Sequence, residues 1–356
     1  MNKVLMKGTE AAAEAAIKAG LKFYAGYPIT PQNEIPEYFS KRLPEVGGVF
    51  IQAESEIAAI NMVYGASACG FRAMTSSSSP GISLKQEAIS YLAAAELPAV
   101  IINMMRGGPG LGNISGSQAD YFQAVKGGGH GDYRMLVYAP FSVQELWDYT
   151  IFAFEKADEW RTPVMILGDG VIAQMMEPVI QKVPELRKID KSQWALTGAK
   201  GRPSRFIRTL LMEEGELEKH NYKLQEKYKK WNEQEIQYKT YFIDDSDIAV
   251  VAFGSAARIS LSAIRKLRQE GLKIGLIRPI TLFPFPEEAI RQLAQDIETF
   301  IVVEFNAGQM IEDVRLAVNG VAEVKLYGRP GGSIVTAEDV YDAIIKITKF
   351  AKAQVI

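Results

Sequence analysis

The feature of this sequence that most constrains its fold is a regular alternation of short apolar segments with helical segments, from the start of the chain to about residue 182. The apolar segments, which we predict to be strands, are residues 21–25, 49–53, 72–75, 99–104, 135–138 and 164–167. Segments with helical composition alternate with the earlier strands, at 10–18 (capped by Thr9), 56–67 and 82–95. Strands separated by helices are typical of a parallel sheet that is covered on both faces. The sequence therefore predicts an α/β fold.

The chain is predicted to contain two α/β domains joined by a connecting segment. Its 356 residues and 47% apolar content are sufficient for two hydrophobic cores. The alternation stops near residue 184, and a second set of strand candidates begins near residue 248. We therefore expect a first domain at 1–183, a connecting segment at 184–245 and a second domain at 246–356.

The connecting segment has a densely charged middle, residues 213–239, in which Leu217, Leu224, Trp231 and Tyr238 recur every seven residues. Such a narrow apolar seam is typical of a long helix that lies on a neighbouring surface. We predict a solvated helix that packs along a domain or a partner subunit and exposes His220 to solvent. An insertion with a specific role is the alternative.

The overall charge excludes several classes of partner. A net charge of −2 and a sequence pI near 6.0 provide no positive field for nucleic acid or for an anionic membrane. No apolar run reaches the roughly 20 residues that a membrane-spanning helix needs, and the first residues do not form a secretory signal. We expect a cytoplasmic protein that binds neither nucleic acid nor membrane.

The cysteine content limits the redox chemistry of the chain itself. Cys69 is the only cysteine in the sequence, whereas an iron–sulfur cluster normally takes four. Any redox metal is therefore expected to belong to a partner. Cys69 stands in a run of small residues with no histidine nearby in sequence, and we predict a small buried side chain.

Three polar groups stand where predicted strands end: the turn 27–31, the carboxylate of Glu56 and the guanidinium of Arg106. Ligands of open α/β sheets bind in the crevice beyond the carboxyl ends of the strands. Three such groups therefore predict a single site, and an enzyme.

The turn and Glu56 each have a structural alternative. Pro28 and Pro31 restrict the backbone around Thr30, so the Thr30 hydroxyl is expected to be held stiffly, although a rigid turn alone would explain the same sequence. Glu56 opens an apolar helix, where a carboxylate is partly desolvated and available to a polar ligand. The alternative is a simple charge at a helix N-terminus, for which Glu54 would serve equally.

The remaining candidates are Arg106 at its strand end, a serine-rich turn and a loop. Arg106 precedes a glycine-rich segment and suits a substrate carboxylate, with an interface or surface ion pair as the alternative. The serine-rich turn 75–81, which includes Ser78 and Ser79, could receive an anion or a polar ring, or could simply cap a helix. The loop 127–132 carries His130 and is either a substrate-facing lid or a structural loop.

Together these residues resemble the α subunit of a 2-oxoacid:ferredoxin oxidoreductase. The resemblance is densest over residues 6–180 and extends through 278–286 and 304–309. It implies a pyrimidine-binding domain of a thiamine diphosphate enzyme, followed by a domain similar to the C-terminal domain of transketolase. It also implies a β subunit with the diphosphate and Mg²⁺ domain and a [4Fe-4S] cluster, a γ subunit, a small ferredoxin-like δ subunit, ferredoxin, and coenzyme A as co-substrate.

The resemblance also implies roles for individual residues. Glu56 would hydrogen-bond N1′ of the aminopyrimidine of thiamine diphosphate, and Thr30 and Arg106 would bind the keto-acid end of the substrate. Further cofactor contacts are implied at Tyr27, Pro28, Ile29, Ser78 and Ser79.

No metal ligand is expected in this chain. Gly168-Asp169-Gly170 matches the opening of the Mg²⁺ and diphosphate motif of thiamine diphosphate enzymes, but no asparagine follows between Gly170 and His220. We therefore predict that the triplet is a turn at the end of a strand.

The expected reaction is oxidative decarboxylation of a 2-oxoacid with coenzyme A to acyl-CoA, CO₂ and reduced ferredoxin. Residues 104–110 and 127–134 are most similar to the branched-chain members, which use 3-methyl-2-oxobutanoate. The alternative is 2-oxoglutarate, if a second cation such as Lys126 or Arg134 lines the pocket. A dinucleotide-binding oxidoreductase is disfavoured because no Gly-x-Gly-x-x-Gly follows the first strand. A noncatalytic scaffold is disfavoured by the presence of all three strand-end groups.

Overall fold

The computed structural model describes residues 3–353. Its strands are β1 (Lys3–Lys7), β2 (Phe23–Gly26), β3 (Val49–Gln52), β4 (Ala73–Ser77), β5 (Ala99–Gly107), β6 (Asn113–Gly116), β7 (Leu136–Tyr138), β8 (Pro163–Asp169), β9 (Met176–Ile180), β10 (Tyr238–Tyr241), β11 (Ile248–Val251), β12 (Ile274–Pro279), β13 (Thr281–Phe283), β14 (Thr299–Glu304) and β15 (Glu323–Gly328). Its helices are α1 (Gly8–Lys18), α2 (Glu34–Glu45), α3 (Glu56–Ala68), α4 (Ser79–Ala94), α5 (Tyr121–Val125), α6 (Val143–Trp160), α7 (Gly170–Gln174), α8 (Glu216–Gln234), α9 (Gly254–Gln269), α10 (Glu287–Leu293), α11 (Met310–Val318) and α12 (Ala337–Ala353).

The larger sheet has the strand order β13-β7-β8-β5-β4-β2-β3, with β6 paired to β5 beside this path. Neighbours along the path are parallel except β13, which is antiparallel to β7. Every residue of β5 is buried, as expected for a strand whose two faces are both covered by helices. The predicted parallel α/β fold is confirmed.

A second sheet has the order β10-β12-β11-β14-β15 and is parallel except for β10, which is antiparallel to β12. Its strands β11, β12 and β14 lie where the sequence alternation resumes after the charged segment. The small pair β1 and β9 forms a third, antiparallel sheet. The domain limits drawn from the sequence stay a prediction.

The two larger sheets are joined more closely than the sequence indicates. The chain returns from β12 to the larger sheet through β13, which pairs with β7. One hydrophobic cluster contains residues of both sheets, among them Val137 of β7, Leu282 of β13 and Val251 of β11. The arrangement therefore fixes one sheet against the other through a shared core.

The charged segment forms helix α8, but its predicted seam is shorter than expected. Leu224 and Trp231 are buried in the cluster beneath the larger sheet, together with Tyr228. Leu217 is exposed, and Tyr238 belongs to strand β10 and not to the helix. The buried seam of the helix therefore runs from Leu224 to Trp231.

Two predictions about single side chains are wrong. Cys69 is exposed rather than buried, because it is the C-cap residue of α3 and lies beyond the packed face of that helix. His220 is half-buried rather than solvated, and its Nε2 lies 2.7 Å from the carbonyl oxygen of Ala94. Among the described residues, no helix is long and apolar enough to cross a membrane.

Candidate active site

The turn after β2 is anchored to the sheet by buried polar side chains. Gln32, directly after the turn, accepts a hydrogen bond at Oε1 from Ser76 Oγ of β4 (2.5 Å). The hydroxyl of Tyr24 lies 2.7 Å from the same Ser76 oxygen. Residues Tyr27 and Pro28 are exposed at the tip of the turn, and Ile29 is half-buried. The tip is therefore available to a ligand while its base is fixed.

Glu56 is the first residue of α3, and the structure distinguishes it from Glu54. The preceding Ser55 caps the helix, since its Oγ accepts a hydrogen bond from the amide of Ala58 (3.1 Å). Glu56 is only 7% exposed, whereas Glu54 is exposed to solvent. No hydrogen bond joins the Glu56 carboxylate to another residue between 3 and 349. A buried carboxylate without a partner is costly, so this one is suited to a polar ligand.

The start of α4 forms a cradle for that carboxylate. Gly81 faces it so closely that a Cβ at position 81 would lie 2.7 Å from Glu56 Oε1 and 2.1 Å from Ser77 Oγ. The hydroxyls of Ser77 and Ser78 are buried and have no hydrogen-bond partner in the described part of the chain. Buried hydroxyls are normally satisfied, so these two are available to a ligand.

Arg106, at the end of β5, connects the strand ends of the site. It is 8% exposed, and its guanidinium donates to the carbonyl oxygens of Thr30 (3.0 Å) and Leu111 (2.9 Å). Its Nε–H is buried without a partner among the described residues. The Arg106 amide donates to Ser79 Oγ (3.0 Å), while Thr30 Oγ1 accepts a weak bond from Asn33 (3.3 Å). The turn, Arg106 and the start of α4 thus form one connected site.

The cations proposed for an acidic substrate tail are engaged elsewhere. Lys126 pairs with Asp313 of α11. Arg134 donates to the carbonyl oxygen of Tyr133 (2.9 Å) and lies 5.7 Å from the ring centre of Phe283. Neither makes a hydrogen bond to Thr30, Glu56 or Arg106.

The loop with His130 stays without an assigned role. His130 is exposed, and its ring lies edge-on to Tyr91, with 6.2 Å between the ring centres.

Asp169 ends β8 and is used inside the protein. Its Oδ1 accepts hydrogen bonds from the amides of Val171 (2.9 Å) and Ile172 (3.1 Å), and its other oxygen contacts Ser255 of α9. Burial raises the pKa of Asp169, although these hydrogen bonds oppose it. The triplet around Asp169 is therefore the turn from β8 into α7.

A cavity of about 450 Å³ lies beside Thr30. Apolar side chains of Ile114, Val171 and Ile334 line it together with Glu34. Burial raises the pKa of Glu34, but hydrogen bonds from its own backbone amide and from Lys7 outweigh this effect and lower the pKa overall. The cavity wall is therefore mainly apolar, and its carboxylate, Glu34, is paired with Lys7 (3.0 Å).

Sequence reasoning missed Lys85, which is fully buried behind Glu56. The available signal was a single lysine in the otherwise small and apolar first half of α4. A lysine on a helix is usually assigned to its solvated face, so only the packing shows that this one points inwards.

Comparison with known proteins identifies the family. Residues 14–241 match the family model described as pyruvate flavodoxin/ferredoxin oxidoreductase, thiamine diphosphate-binding, and residues 246–340 match pyruvate:ferredoxin oxidoreductase core domain II. The chain belongs to the 2-oxoacid:ferredoxin oxidoreductase family. It is similar to ketoisovalerate oxidoreductase subunit VorB of Methanothermobacter marburgensis, with 50% identity over 96% of this chain and 97% of the relative.

The chain is also similar to other members of the family at lower identity. This chain is 35% identical to 2-oxoglutarate synthase subunit KorA of Methanothermobacter thermautotrophicus, over 97% of this chain and 98% of the relative. A solved 2-oxoglutarate:ferredoxin oxidoreductase from Magnetococcus marinus, with 2-oxoglutarate, coenzyme A and succinyl-CoA bound, superimposes with a TM-score of 0.84 and 25% identity. The alignment covers 97% of this chain and 65% of that one. A split-gene transketolase shares the fold, with a TM-score of 0.59 and 17% identity.

The oxidoreductase subunit has residues that fit the aminopyrimidine half of thiamine diphosphate. At Gly81 the unpartnered carboxylate of Glu56 and the free hydroxyl of Ser77 lie together, so an acceptor and a donor are available at one position. A polar aromatic ring needs both. The donor set of the site therefore suits this part of the cofactor.

Proposed function

We propose that this chain is the α subunit of an enzyme that oxidatively decarboxylates 3-methyl-2-oxobutanoate with coenzyme A, giving acyl-CoA, CO₂ and reduced ferredoxin. The observation that carries this proposal is the meeting of a buried acceptor, Glu56, and a buried donor, Arg106, at one end of the sheet in a thiamine diphosphate-binding domain. The 50% identity to a ketoisovalerate oxidoreductase subunit supports the substrate.

Glu56 is the group that we assign to the cofactor. Thiamine diphosphate, when bound, supplies a nucleophilic carbon and an electron sink. The Glu56 carboxylate would accept the hydrogen bond at N1′ of the aminopyrimidine and hold a proton there. The hydroxyls of Ser78 and Ser79 and the turn at Tyr27, Pro28 and Ile29 would enclose the ring.

Arg106 and Thr30 are the groups that we assign to the substrate. The buried Nε–H of Arg106 is a donor for the carboxylate, and the carbonyl oxygens of Thr30 and Leu111 fix the plane of the guanidinium. The hydroxyl of Thr30 would donate to the 2-oxo oxygen. Holding the carboxylate orients the bond that breaks, so this contact should affect turnover as well as binding.

The cavity beside Thr30 supports an apolar substrate tail. Its mainly apolar wall suits the isopropyl group of 3-methyl-2-oxobutanoate. Lys126 and Arg134 are already engaged, so neither is free to neutralise an acidic tail. The second candidate substrate is 2-oxoglutarate, favoured by the similarity to 2-oxoglutarate synthase subunits.

The remaining parts of the enzyme are assigned to partner subunits. A β subunit would bring the diphosphate and Mg²⁺ domain and a [4Fe-4S] cluster, and γ and δ subunits would complete the complex that passes electrons to ferredoxin. The single cysteine of this chain supports that division.

The test is to purify the complex with its partner subunits and to assay viologen reduction with coenzyme A across a panel of 2-oxoacids. The wild-type complex should prefer 3-methyl-2-oxobutanoate. Glu56→Gln should lower kcat by about 100-fold or more, because a positioned acid–base group contributes at least that factor. Glu54→Gln is the matched control and should leave kcat unchanged. Normal turnover in Glu56→Gln would refute the assignment.

A further inference from the structure

Lys85 is a buried cation that the proposed reaction does not yet use. It lies on α4, one turn after Gly81, and its side chain is fully buried. Its Nζ donates to Thr75 Oγ1 of β4 (2.7 Å). No described carboxylate lies within ion-pair distance of it. A buried ammonium with a single hydroxyl partner is strongly disfavoured unless an opposite charge compensates it.

Glu56 is the charge that acts on Lys85. Burial lowers the pKa of Lys85 to about 7, and the negative charge of Glu56 opposes that fall. Thr75 of β4, the hydrogen-bond partner of Lys85 Nζ, does not titrate in this range. Lys85, behind the site, and Glu56, at the site, therefore interact as two opposite charges.

The pair can conserve charge when a ligand arrives. If a proton is placed in the hydrogen bond between Glu56 and a ring nitrogen, the buried site gains one positive charge. If Lys85 gives up its proton at the same time, the total charge of the site stays constant. No uncompensated charge then remains in a medium of low dielectric constant, where it would be most costly.

We propose that Lys85 is a positioning residue that supplies the counter-charge to Glu56 and releases a proton when the aminopyrimidine takes up a proton at Glu56. This inference rests on the proposed function of Glu56. One proton leaves Lys85 Nζ and one enters the hydrogen bond at Glu56, so no net proton is drawn from solvent.

The experiment measures proton uptake when thiamine diphosphate binds to the complex reconstituted with its partner subunits and saturating Mg²⁺. Calorimetric titrations at about pH 6.5, where Lys85 is mostly charged, are run in two buffers with different ionisation enthalpies. Ionisation of the diphosphate is common to all variants and cancels in the comparison. Lys85→Met keeps the length of the side chain and removes its charge. This variant should take up about one more proton per site than the wild type.

Two further variants separate the explanations. Thr75→Val removes the hydroxyl that holds Nζ and should increase proton uptake in the same direction as Lys85→Met. Lys41→Met, which removes an exposed lysine of α2, is the control and should match the wild type. Equal proton uptake by the wild type and Lys85→Met would overturn the inference.

Glu56→Gln distinguishes this failure from a failure of the proposed function. That variant should bind thiamine diphosphate at least tenfold more weakly, as expected for loss of a hydrogen bond to a charged group. Unchanged affinity in Glu56→Gln would refute the role of Glu56, and the role of Lys85 with it. Weakened binding there, with unchanged proton uptake in Lys85→Met, would overturn the Lys85 inference alone.

Discussion

Removing one partner of the buried ion pair between Arg278 and Glu145 should strongly destabilise this chain. Arg278 on β12 is fully buried and donates through both terminal nitrogens to the Glu145 carboxylate of α6, at 2.7 and 2.8 Å. Its guanidinium also lies 4.0 Å from the ring centre of Phe141. The pair therefore joins the second sheet to a helix of the first.

The expected cost of Arg278→Met follows from what Glu145 loses. Removing one partner of a buried pair leaves an uncompensated charge and typically costs about 3–5 kcal/mol. Glu145 would keep the amide of Phe141 at 3.2 Å and Lys239 at 3.6 Å. Because Lys239 is more than half exposed, it compensates only partly, and we expect about 3 kcal/mol, near the lower end of that range.

The assay is urea unfolding of the full chain, with the free energy of unfolding obtained by linear extrapolation. The matched control is Arg291→Met on α10, where Arg291 pairs with Glu287 and Glu288 at the surface. Exposed pairs contribute at most about 1 kcal/mol. The double variant Arg278→Met/Glu145→Met should be more stable than Arg278→Met alone, because no charge is left unpaired. The reasoning is refuted if Arg278→Met costs no more than Arg291→Met.

Three further predictions concern the site. Gly81→Ala should weaken thiamine diphosphate binding, because the added Cβ would lie 2.7 Å from the Glu56 carboxylate. Binding is measured by titration of the complex. Unchanged affinity would contradict the assignment of Gly81 to the cofactor site. Val171→Lys places a cation in the cavity beside Thr30 and should raise kcat/KM for 2-oxoglutarate relative to 3-methyl-2-oxobutanoate. The remote Val321→Lys is the control and should leave this ratio unchanged. The same ratio in both variants would argue against this cavity as the pocket for the substrate tail. Burial lowers the pKa of Lys85 from 10.5 to about 7. At a pH between these two values, Lys85 therefore carries a proton in the unfolded chain that it lacks in the folded chain. The wild type should therefore gain stability over Lys85→Met as pH rises above 7, by up to about 1.4 kcal/mol per pH unit; parallel pH profiles in urea unfolding would contradict the burial of a titrating lysine.

Much of the fold followed from local pattern. The alternation of apolar and helical segments predicted the parallel sheet, because strand and helix periodicities are properties of neighbouring residues. The charged segment was likewise identified as a helix from its composition. The seven-residue spacing wrongly includes Tyr238 in the apolar seam of this helix, since such a spacing does not show where a helix ends. The exposure of Cys69 was missed for a related reason: small neighbours do not indicate which side of a helix end a residue occupies.

The sequence by itself determined which side chains stand at the ends of strands, and so it singled out the turn, Glu56 and Arg106 as candidates. Only the tertiary structure decided that Glu56 is buried and Glu54 exposed, that Arg106 reaches the carbonyl of Thr30, and that β13 returns to the first sheet. It alone showed Lys85 pointing inwards beneath the site. The physical reason is that burial and pairing depend on residues distant in sequence, which a local pattern does not record.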